Sequence, residues 1–424
     1  MTVTLPAGER CGSVKVPASK SMAHRALIMA ALGKRPVRIF CDGISKDIEA
    51  TINCLNSIGA EIKTQDDSIL VSPIAAIPQE ICRLECGESG STLRFMLPIV
   101  GALGIDAEFY PKGRLIERPL APLDKVLFEH GVKVIKGEKT IRCSGKLIPG
   151  EYEIAGNVSS QYISGLLMAL PLLDGGSKLK VTGEVQSKSY IEMTEEVIGK
   201  SGIDIGKSGF TYDIKGSQTV DMPAEYEVEG DYSSASFFLC MGALSEKGIT
   251  VKGLKPDSKQ GDRAILDVIR RFGASVCENE DGIKVQKNSL KGIVIDASQI
   301  PDIIPPLCVV AAAAEGRTEV INAERLRIKE SDRIATTVAM LKAIGASAED
   351  TDNGITVSGK AILSGGTADS FNDHRIAMSA AVAAAICKNP VTVTGSECVC
   401  KSYPRFFEDF AKLQLRSENG DDDK

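Results

Sequence analysis

Gly87–Leu103 reads GESGSTLRFMLPIVGAL. Small and polar residues open it, one arginine follows, and the rest is apolar with small side chains interspersed. A helix that is apolar almost all round is a buried helix, and its Gly, Ala and Ser content allows another helix to come close. The same phrase recurs as SKSMAHRALIMAAL from Ser19, SSQYISGLLMALPLL from Ser159, SSASFFLCMGAL from Ser233, PDIIPPLCVVAAAAEG from Pro301 and NDHRIAMSAAVAAAI from Asn372, with starts 68, 72, 74, 68 and 71 residues apart. A second series runs between these: SIGAEI at Gly59, EHGVKV at Gly131, KSGIDI at Gly202, RFGASV at Gly273 and AIGASA at Gly345, at intervals of 72, 71, 71 and 72. Each closes an amphipathic stretch (47–58, 120–130, 190–201, 262–272 and 332–344). Glycine past the last helical turn is the usual stop, and the apolar alternation after it reads as a strand. Two interleaved series with a period of about 71 residues divide the chain into six units. Each is read as strand, buried helix, strand, amphipathic helix and further strands.

Six such units exceed a single core, which stops growing near about 250–300 residues. Two α/β domains of three units each are expected, with the break near Tyr226–Gly230. No Pro/Gly/Ser-rich linker lies there, so a short crossover is expected. The 417–424 stretch, SENGDDDK, reads as a solvated acidic tail.

Composition narrows the function. Of 424 residues 43% are hydrophobic and 25% charged, as in ordinary globular proteins. The apolar runs Leu307–Ala314 and Ala380–Cys387 are far shorter than the roughly 18 residues a membrane span needs, and the N-terminal MTVTLPAGER lacks a signal-peptide core. A formal charge of −6, no Trp and 5% aromatics argue against a nucleic-acid surface, which needs basic groups and stacking platforms. Twelve cysteines without CxxC, and three scattered histidines, His24, His130 and His374, read as reduced thiols in a cytoplasmic protein with no metal site.

The polar residues of the buried-helix series lie at the N-terminal ends: Lys20, Ser21 and Arg25; Gly87, Gly90, Ser91 and Arg94; Ser159, Ser160 and Gln161; Asn372, Asp373, His374 and Arg375. Helix N-termini suit phosphate and carboxylate. Capping explains single serines and aspartates. It does not explain Lys20, Arg25, Arg94 or Arg375, because cations oppose the dipole there; either an anionic ligand or buried ion pairs must compensate them. No phosphate loop is present: the GKS triplets at Gly199 and Gly206 have Thr194 and Ser201 where the motif requires Gly. Further cations sit at Arg118, beside Pro119, at Lys401, and in the segment from Arg325 to Arg333. There Lys329 and Arg333 would share a face if the turn is helical, and Asp332 is a candidate cap.

With these residues assembled, the chain resembles the 5-enolpyruvylshikimate-3-phosphate synthase family over essentially its whole length. The strings that carry the resemblance are Ser19–Arg25, Gly87–Arg94, Glu117–Pro119, Ser159–Gln161, Ser187–Tyr190, Glu229–Ser234, Pro301–Asp302, Arg327–Arg333 and Asn372–Arg375. The resemblance implies a two-domain inside-out α/β barrel with three βαβαββ units per domain. The domains would be residues 19–228, and 229–424 with 1–18, with the active site in the interdomain cleft. It implies transfer of the enolpyruvyl group of phosphoenolpyruvate to the 5-hydroxyl of shikimate 3-phosphate by addition and elimination, without a cofactor, in a monomer. Lys20, Asp302 and Glu330 are then the catalytic candidates. Lys20, Ser21, Arg25, Ser159, Ser160, Gln161, Ser187, Tyr190, Asp302 and Lys329 match the shikimate 3-phosphate site. Lys20, Gly90, Arg118, Gln161, Arg333, Arg375 and Lys401 match the phosphoenolpyruvate site. Gly90 also implies sensitivity to glyphosate. Glu88 and Arg325 depart: Glu88 stands where many members of the family carry Asn, and Arg325 where some do.

Two alternatives have discriminators. A UDP-N-acetylglucosamine enolpyruvyl transferase shares fold and donor but carries a reactive Cys near an Arg-Pro, and Gly113–Glu117 before Arg118 has none. A non-enzymatic repeat ring would spread Lys and Arg along exposed helix faces, whereas here the basic groups are confined to helix ends.

Overall fold

The computed structural model describes residues 1–360 and 362–415; the 417–424 stretch lies outside them. The chain packs as two units, Ala18–Val228, and Met1–Pro17 with the residues from Glu229 onward. The first holds helices α1 (Lys20–Ala31), α2 (Lys46–Ser57), α3 (Gly90–Leu103), α4 (Leu123–Glu129), α5 (Ser160–Ala169) and α6 (Lys188–Lys200). The second holds α7 (Tyr232–Ala243), α8 (Ile265–Phe272), α9 (Ile304–Ala313), α10 (Arg333–Ala343), α11 (His374–Ala383) and α12 (Phe406–Lys412).

The six apolar phrases are α1, α3, α5, α7, α9 and α11, buried on almost every side. The amphipathic stretches are α2, α4, α6, α8 and α10. Each is followed by its glycine with positive φ: 105° at Gly59, 92° at Gly131, 73° at Gly202, 108° at Gly273 and 90° at Gly345. Close approach adds to the conformational demand at four of them, Gly59, Gly131, Gly273 and Gly345. A Cβ at Gly131 would lie 2.6 Å from the Lys146 carbonyl oxygen, and one at Gly273 would lie 2.3 Å from that of Ser289.

The strands of one repeat lie side by side as Cys82–Gly87, Ala107–Pro111, Ile141–Gly145 and Val132–Lys136. The first two are parallel and connected through α3, and the rest pair antiparallel. Glu151–Ala155, Ser177–Thr182, Thr211–Ile214 and Ile205–Ser208 repeat this order around α5, and Val294–Asp296, Arg317–Ile321, Gly354–Ser358 and Ser347–Thr351 repeat it around α9. The sheet of the first repeat takes its parallel edge strand, Glu225–Glu227, from the far end of its unit. In the second unit the N-terminal residues do this work. Arg10–Lys15 runs parallel to Ile249–Lys252, and Thr2–Leu5 runs antiparallel to Val391–Thr394. The last repeat accordingly departs from the others: after Val391–Thr394 come a 3-10 turn, Ser396–Lys401, and α12.

Strands such as Val37–Phe40 alternate buried and exposed side chains, as expected of sheets with one face on a core and one in water. Each unit therefore keeps its helices inside and its sheets outside. In the second unit α7, α9 and α11 pack on one another; in the first, α3 packs on α1 and α5. Each unit has its own apolar core. Leu166 and Leu167 of α5 are fully buried, each contributing about 1.5–3 kcal/mol by removal from water. No helix among the described residues is long and apolar enough to cross a membrane.

Candidate active site

In the first unit the N-terminal turns of α1, α2, α3 and α5 meet. Lys20 starts α1 and its Nζ lies 2.7 Å from Oδ2 of Asp47 in the first turn of α2. A buried chain continues from there: His24 Nδ1 to Thr51 Oγ1, 2.7 Å, Thr51 to Thr92 Oγ1, 2.7 Å, and Thr92 to Ser89 Oγ, 2.7 Å. Ser89 also caps α3 by accepting the Thr92 N–H. Burial, with Lys20 and Arg25 nearby, holds His24 well below the usual histidine range, so it enters this chain as a neutral ring.

Arg25 is 1% exposed. It donates from Nε to Thr194 Oγ1 (2.7 Å), from Nη1 to the Ser21 carbonyl (2.6 Å), and from Nη2 to Ser164 Oγ (3.3 Å) and the Tyr190 carbonyl (2.8 Å). These bonds tie α1 to α5 and α6 and gather Ser21 and Tyr190. All four acceptors are neutral, and burial lowers the guanidinium pKa to about 10. A guanidinium has five N–H groups, which leaves one Nη1 hydrogen and, among the described residues, a charge with no ion-pair partner, the condition that favours an anion. Ser187 opens α6 in the left-handed region, φ 55°, a conformation that costs energy for a residue with a Cβ. Ser159 accepts the Gln161 N–H and caps α5, with Ser160 following it.

Gly90 heads α3 with two guanidiniums facing it: a Cβ there would lie 2.8 Å from Arg118 Nη1 and 3.1 Å from Arg94 Nη1. Arg94 is occupied by its neighbours, donating to Gln161 Oε1 (2.7 Å) and to the Pro119 carbonyl (3.3 Å), while Gln161 Nε2 donates to Ser91 Oγ (2.9 Å). Arg94 thus orients the Gln161 amide and the chain at Arg118. Glu88, the departure from the family pattern, lies against Gly113, where a Cβ would sit 2.7 Å from its Oε2.

In the second unit Asp302 stands on the 3-10 turn Pro301–Ile303 that leads into α9. Its Oδ1 is 2.8 Å from Arg333 Nη1 and 3.4 Å from Lys329 Nζ; its Oδ2 is 3.4 Å from Arg375 Nη2. Arg375 also donates Nη1 to the Asp302 carbonyl, 2.8 Å. Arg333, 1% exposed, reaches Glu330 Oε2 at 2.5 Å through Nη2 and Asp373 Oδ2 at 2.8 Å through Nε. Burial works against its charge, but Asp373, Glu330 and Asp302 outweigh it and push its pKa up. Burial lowers Lys329 to about 8 in spite of Asp302, with Arg325 and Arg333 adding to the fall. Lys401 Nζ donates to the Asn372 carbonyl, 2.6 Å, next to Asp373; Phe371 and Asn372 both have positive φ, 51° and 54°.

One expectation is corrected. Lys329 and Arg333 do not share a helix face. Asp332 caps α10 by accepting the N–H groups of Ile334 and Ala335, so the helix starts at Arg333 and Lys329 is extended, φ −82° and ψ −158°. The two cations meet on Asp302 Oδ1 instead. The contributions of Asp47 to Lys20, Arg94 to Gln161 and Asp373 to Arg333 were not read from the sequence. The partners are 27, 67 and 40 residues apart, and no local pattern links them. Among the described residues no group of three or more His, Cys, Asp or Glu is placed to hold a metal ion.

Comparison with known proteins gives three findings. The family model described as EPSP synthase (3-phosphoshikimate 1-carboxyvinyltransferase) matches residues 7–410. The 3-phosphoshikimate 1-carboxyvinyltransferases of Clostridium kluyveri and Clostridium beijerinckii are each 42% identical, covering 95% and 96% of this chain and the same shares of their own. Among solved structures, an EPSP synthase from Acinetobacter baumannii superposes with a TM-score of 0.80 at 24% identity, over 98% of this chain and 99% of its own. The enolpyruvyl transferase NikO from Streptomyces tendae superposes with 0.79 at 18% identity, over 97% and 98%. The last two show a shared fold.

Proposed function

We propose, since the chain belongs to the EPSP synthase (3-phosphoshikimate 1-carboxyvinyltransferase) family, a division of labour between its two clusters. The enzyme is a transferase that moves the carboxyvinyl group of phosphoenolpyruvate to the 5-hydroxyl of shikimate 3-phosphate and releases phosphate, a step of the shikimate pathway toward aromatic amino acids. In the first unit, Arg25 with Ser21, Ser159, Ser160, Ser187 and Tyr190 takes the shikimate 3-phosphate. Gly90, Arg118 and Gln161 take the phosphate of phosphoenolpyruvate, with the N–H groups of α3 behind it. Lys20 serves both substrates. Sensitivity to glyphosate belongs to the same reading of Gly90.

The second unit supplies the proton transfers and the rest of the clamp. Asp302 accepts the proton of the 5-hydroxyl as O5 bonds to C2 of phosphoenolpyruvate. Glu330 delivers a proton to the methylene carbon, which becomes a methyl group. Phosphate then leaves C2 and the methyl group returns one proton, restoring the double bond. Lys329 faces shikimate 3-phosphate, while Arg333, Arg375 and Lys401 hold the donor. Guanidinium forks suit both its phosphate and its carboxylate. The observation that supports this most is the single Arg333 guanidinium carrying Asp302 and Glu330 at 2.8 and 2.5 Å. It keeps a base and an acid within reach of one substrate, and a donor anion that takes over its N–H groups releases Glu330. The same reading takes the enzyme as a monomer.

The test is phosphate release from phosphoenolpyruvate with and without shikimate 3-phosphate. Release that requires shikimate 3-phosphate and yields an enol ether supports the reading. Release with UDP-N-acetylglucosamine instead overturns it.

A further inference from the structure

Arg327 opens the string Arg327–Arg333, and the reaction above gives it no part. It lies on the 3-10 turn Glu324–Ile328, and its guanidinium joins two separate stretches of chain. Nη2 donates to Asp350 Oδ1 (2.7 Å) and to the Thr351 carbonyl (2.8 Å), with the Asp352 carbonyl at 3.5 Å. Nη1 donates to Asp332 Oδ2 (3.1 Å), with Asp332 Oδ1 and Asp350 Oδ2 each at 3.4 Å. Asp350–Asp352 lead into the turn of the hairpin between Ser347–Thr351 and Gly354–Ser358. The same hairpin holds the residue ahead of the 3-10 turn: the Ala323 N–H donates to the Asn353 carbonyl, 2.8 Å.

Asp332 caps α10, so its ion pair with Arg327 closes a short loop. Lys329, Glu330 and Ser331 lie between the two clamped residues. Two of these are the groups the proposed reaction needs from the segment. Lys329 meets Asp302 at 3.4 Å and Glu330 meets Arg333 at 2.5 Å, and in that reaction the substrates take these contacts over. On the side of α10 the segment stays fixed, because the Ser331 hydroxyl donates to the buried Asp373 at 3.0 Å. On the other side it is Arg327 that fixes it. A planar fork reaches two carboxylates and a carbonyl at once, which a single ammonium does not.

We propose that Arg327 is a positioning residue for the reaction: it straps the base of this loop to the hairpin and to the cap of α10, and so holds Glu330 where it protonates the donor's methylene. The inference rests on the reading of Glu330 as the acid.

The experiment is a double-mutant cycle of Arg327→Met and Glu330→Gln, read as kcat with both substrates saturating. Asp332 and Asp350 are 36% and 39% exposed, so water solvates both in the variant and the chain is expected to fold. Misplacing a reacting group by about 1 Å costs on the order of 10²-fold, so Arg327→Met alone is expected to lower kcat by about 10- to 100-fold. The KM for phosphoenolpyruvate should hold, since Arg333 and Arg375 keep Asp373 and Asp302. Added to Glu330→Gln, the same change is expected to cost less than about twofold, because the group it positions is gone. A merely structural role would lower kcat by the same factor in both backgrounds. That result, or a normal kcat in Arg327→Met, overturns the inference. Near-normal turnover in Glu330→Gln alone is the separate failure of the Glu330 reading. If Arg327→Met does not fold, Arg327→Lys goes through the same cycle. A smaller loss confined to the Glu330 background is then expected, and equal losses in both backgrounds, or none, overturn the inference as well.

Discussion

Replacing Gly90 by Ala tests the anion site proposed at the head of α3. The new methyl carbon would stand 2.8 Å from Arg118 Nη1, 3.3 Å from Arg118 Cζ and 3.1 Å from Arg94 Nη1. Ordinary contact begins near 3.4 Å, so the Arg118 guanidinium must retreat by roughly 0.6 Å or rotate away, since close packing tolerates no such overlap. Arg94 can yield less, because Gln161 and the Pro119 carbonyl hold it. A charge-assisted hydrogen bond is worth about 1.5–3 kcal/mol, so its loss at Arg118 raises the KM for phosphoenolpyruvate roughly 10- to 100-fold. Gly90 has no positive φ, so Ala fits the helix and the melting temperature should hold. Steady-state kinetics in each substrate is the assay. The KM for shikimate 3-phosphate should change less than about twofold, because Arg25 and its acceptors are untouched. Arg118→Ala should cost a similar factor, and the double variant little more than either single one, since the methyl acts through Arg118. An unchanged KM for phosphoenolpyruvate in a folded G90A enzyme, or full additivity in the double variant, would refute this reasoning.

Glu330→Gln should lower kcat by about 10²–10⁴-fold, the usual contribution of a general acid, with shikimate 3-phosphate affinity little changed by titration calorimetry. Lys329 loses its proton near pH 8 because burial disfavours the charge. The KM for shikimate 3-phosphate should therefore rise above that pH, and Lys329→Arg should move the rise out of the measurable range. Asp373→Asn keeps a capping side chain for α11 but removes a charge partner from a 1% exposed Arg333. Breaking a buried pair costs about 3–5 kcal/mol, so denaturant unfolding should show a loss of that order, and a loss under about 1 kcal/mol would contradict the assignment.

The repeat was legible because its two signals are local. A helix apolar on all sides and an amphipathic helix closed by glycine are written in consecutive residues, and Gly59, Gly131, Gly202, Gly273 and Gly345 all adopt the positive φ that makes glycine necessary. What joins distant parts of the chain was not legible. Thr2–Leu5 completes the sheet of Val391–Thr394 across nearly the whole sequence, and an alternating strand carries no label for its partner. The site divides in the same way. Lys20, Arg25, Arg375 and the serines 21, 159 and 160 were candidates because they stand at helix N-termini, where their residue types are unusual or suggestive; Ser187, Tyr190, Asp302 and Glu330 were candidates only through the family resemblance. The counter-groups of Lys20 and Arg333, Asp47 and Asp373, look like ordinary caps or helix-start acids in one dimension. Lys329 and Arg333 failed for a different reason: their spacing of four suits a helix, but Asp332 between them is a stronger signal for where the helix begins.

The central claim is that a protonated carboxyl adds a hydrogen to the donor's methylene before phosphate leaves. Running the reaction in D₂O and examining the vinyl group of the product by proton NMR and mass spectrometry tests it most directly. Addition and elimination through a freely rotating methyl group is expected to leave deuterium on that carbon in a large share of the product. A product whose vinyl carbon carries only its original hydrogens, formed at the normal rate, would contradict the account.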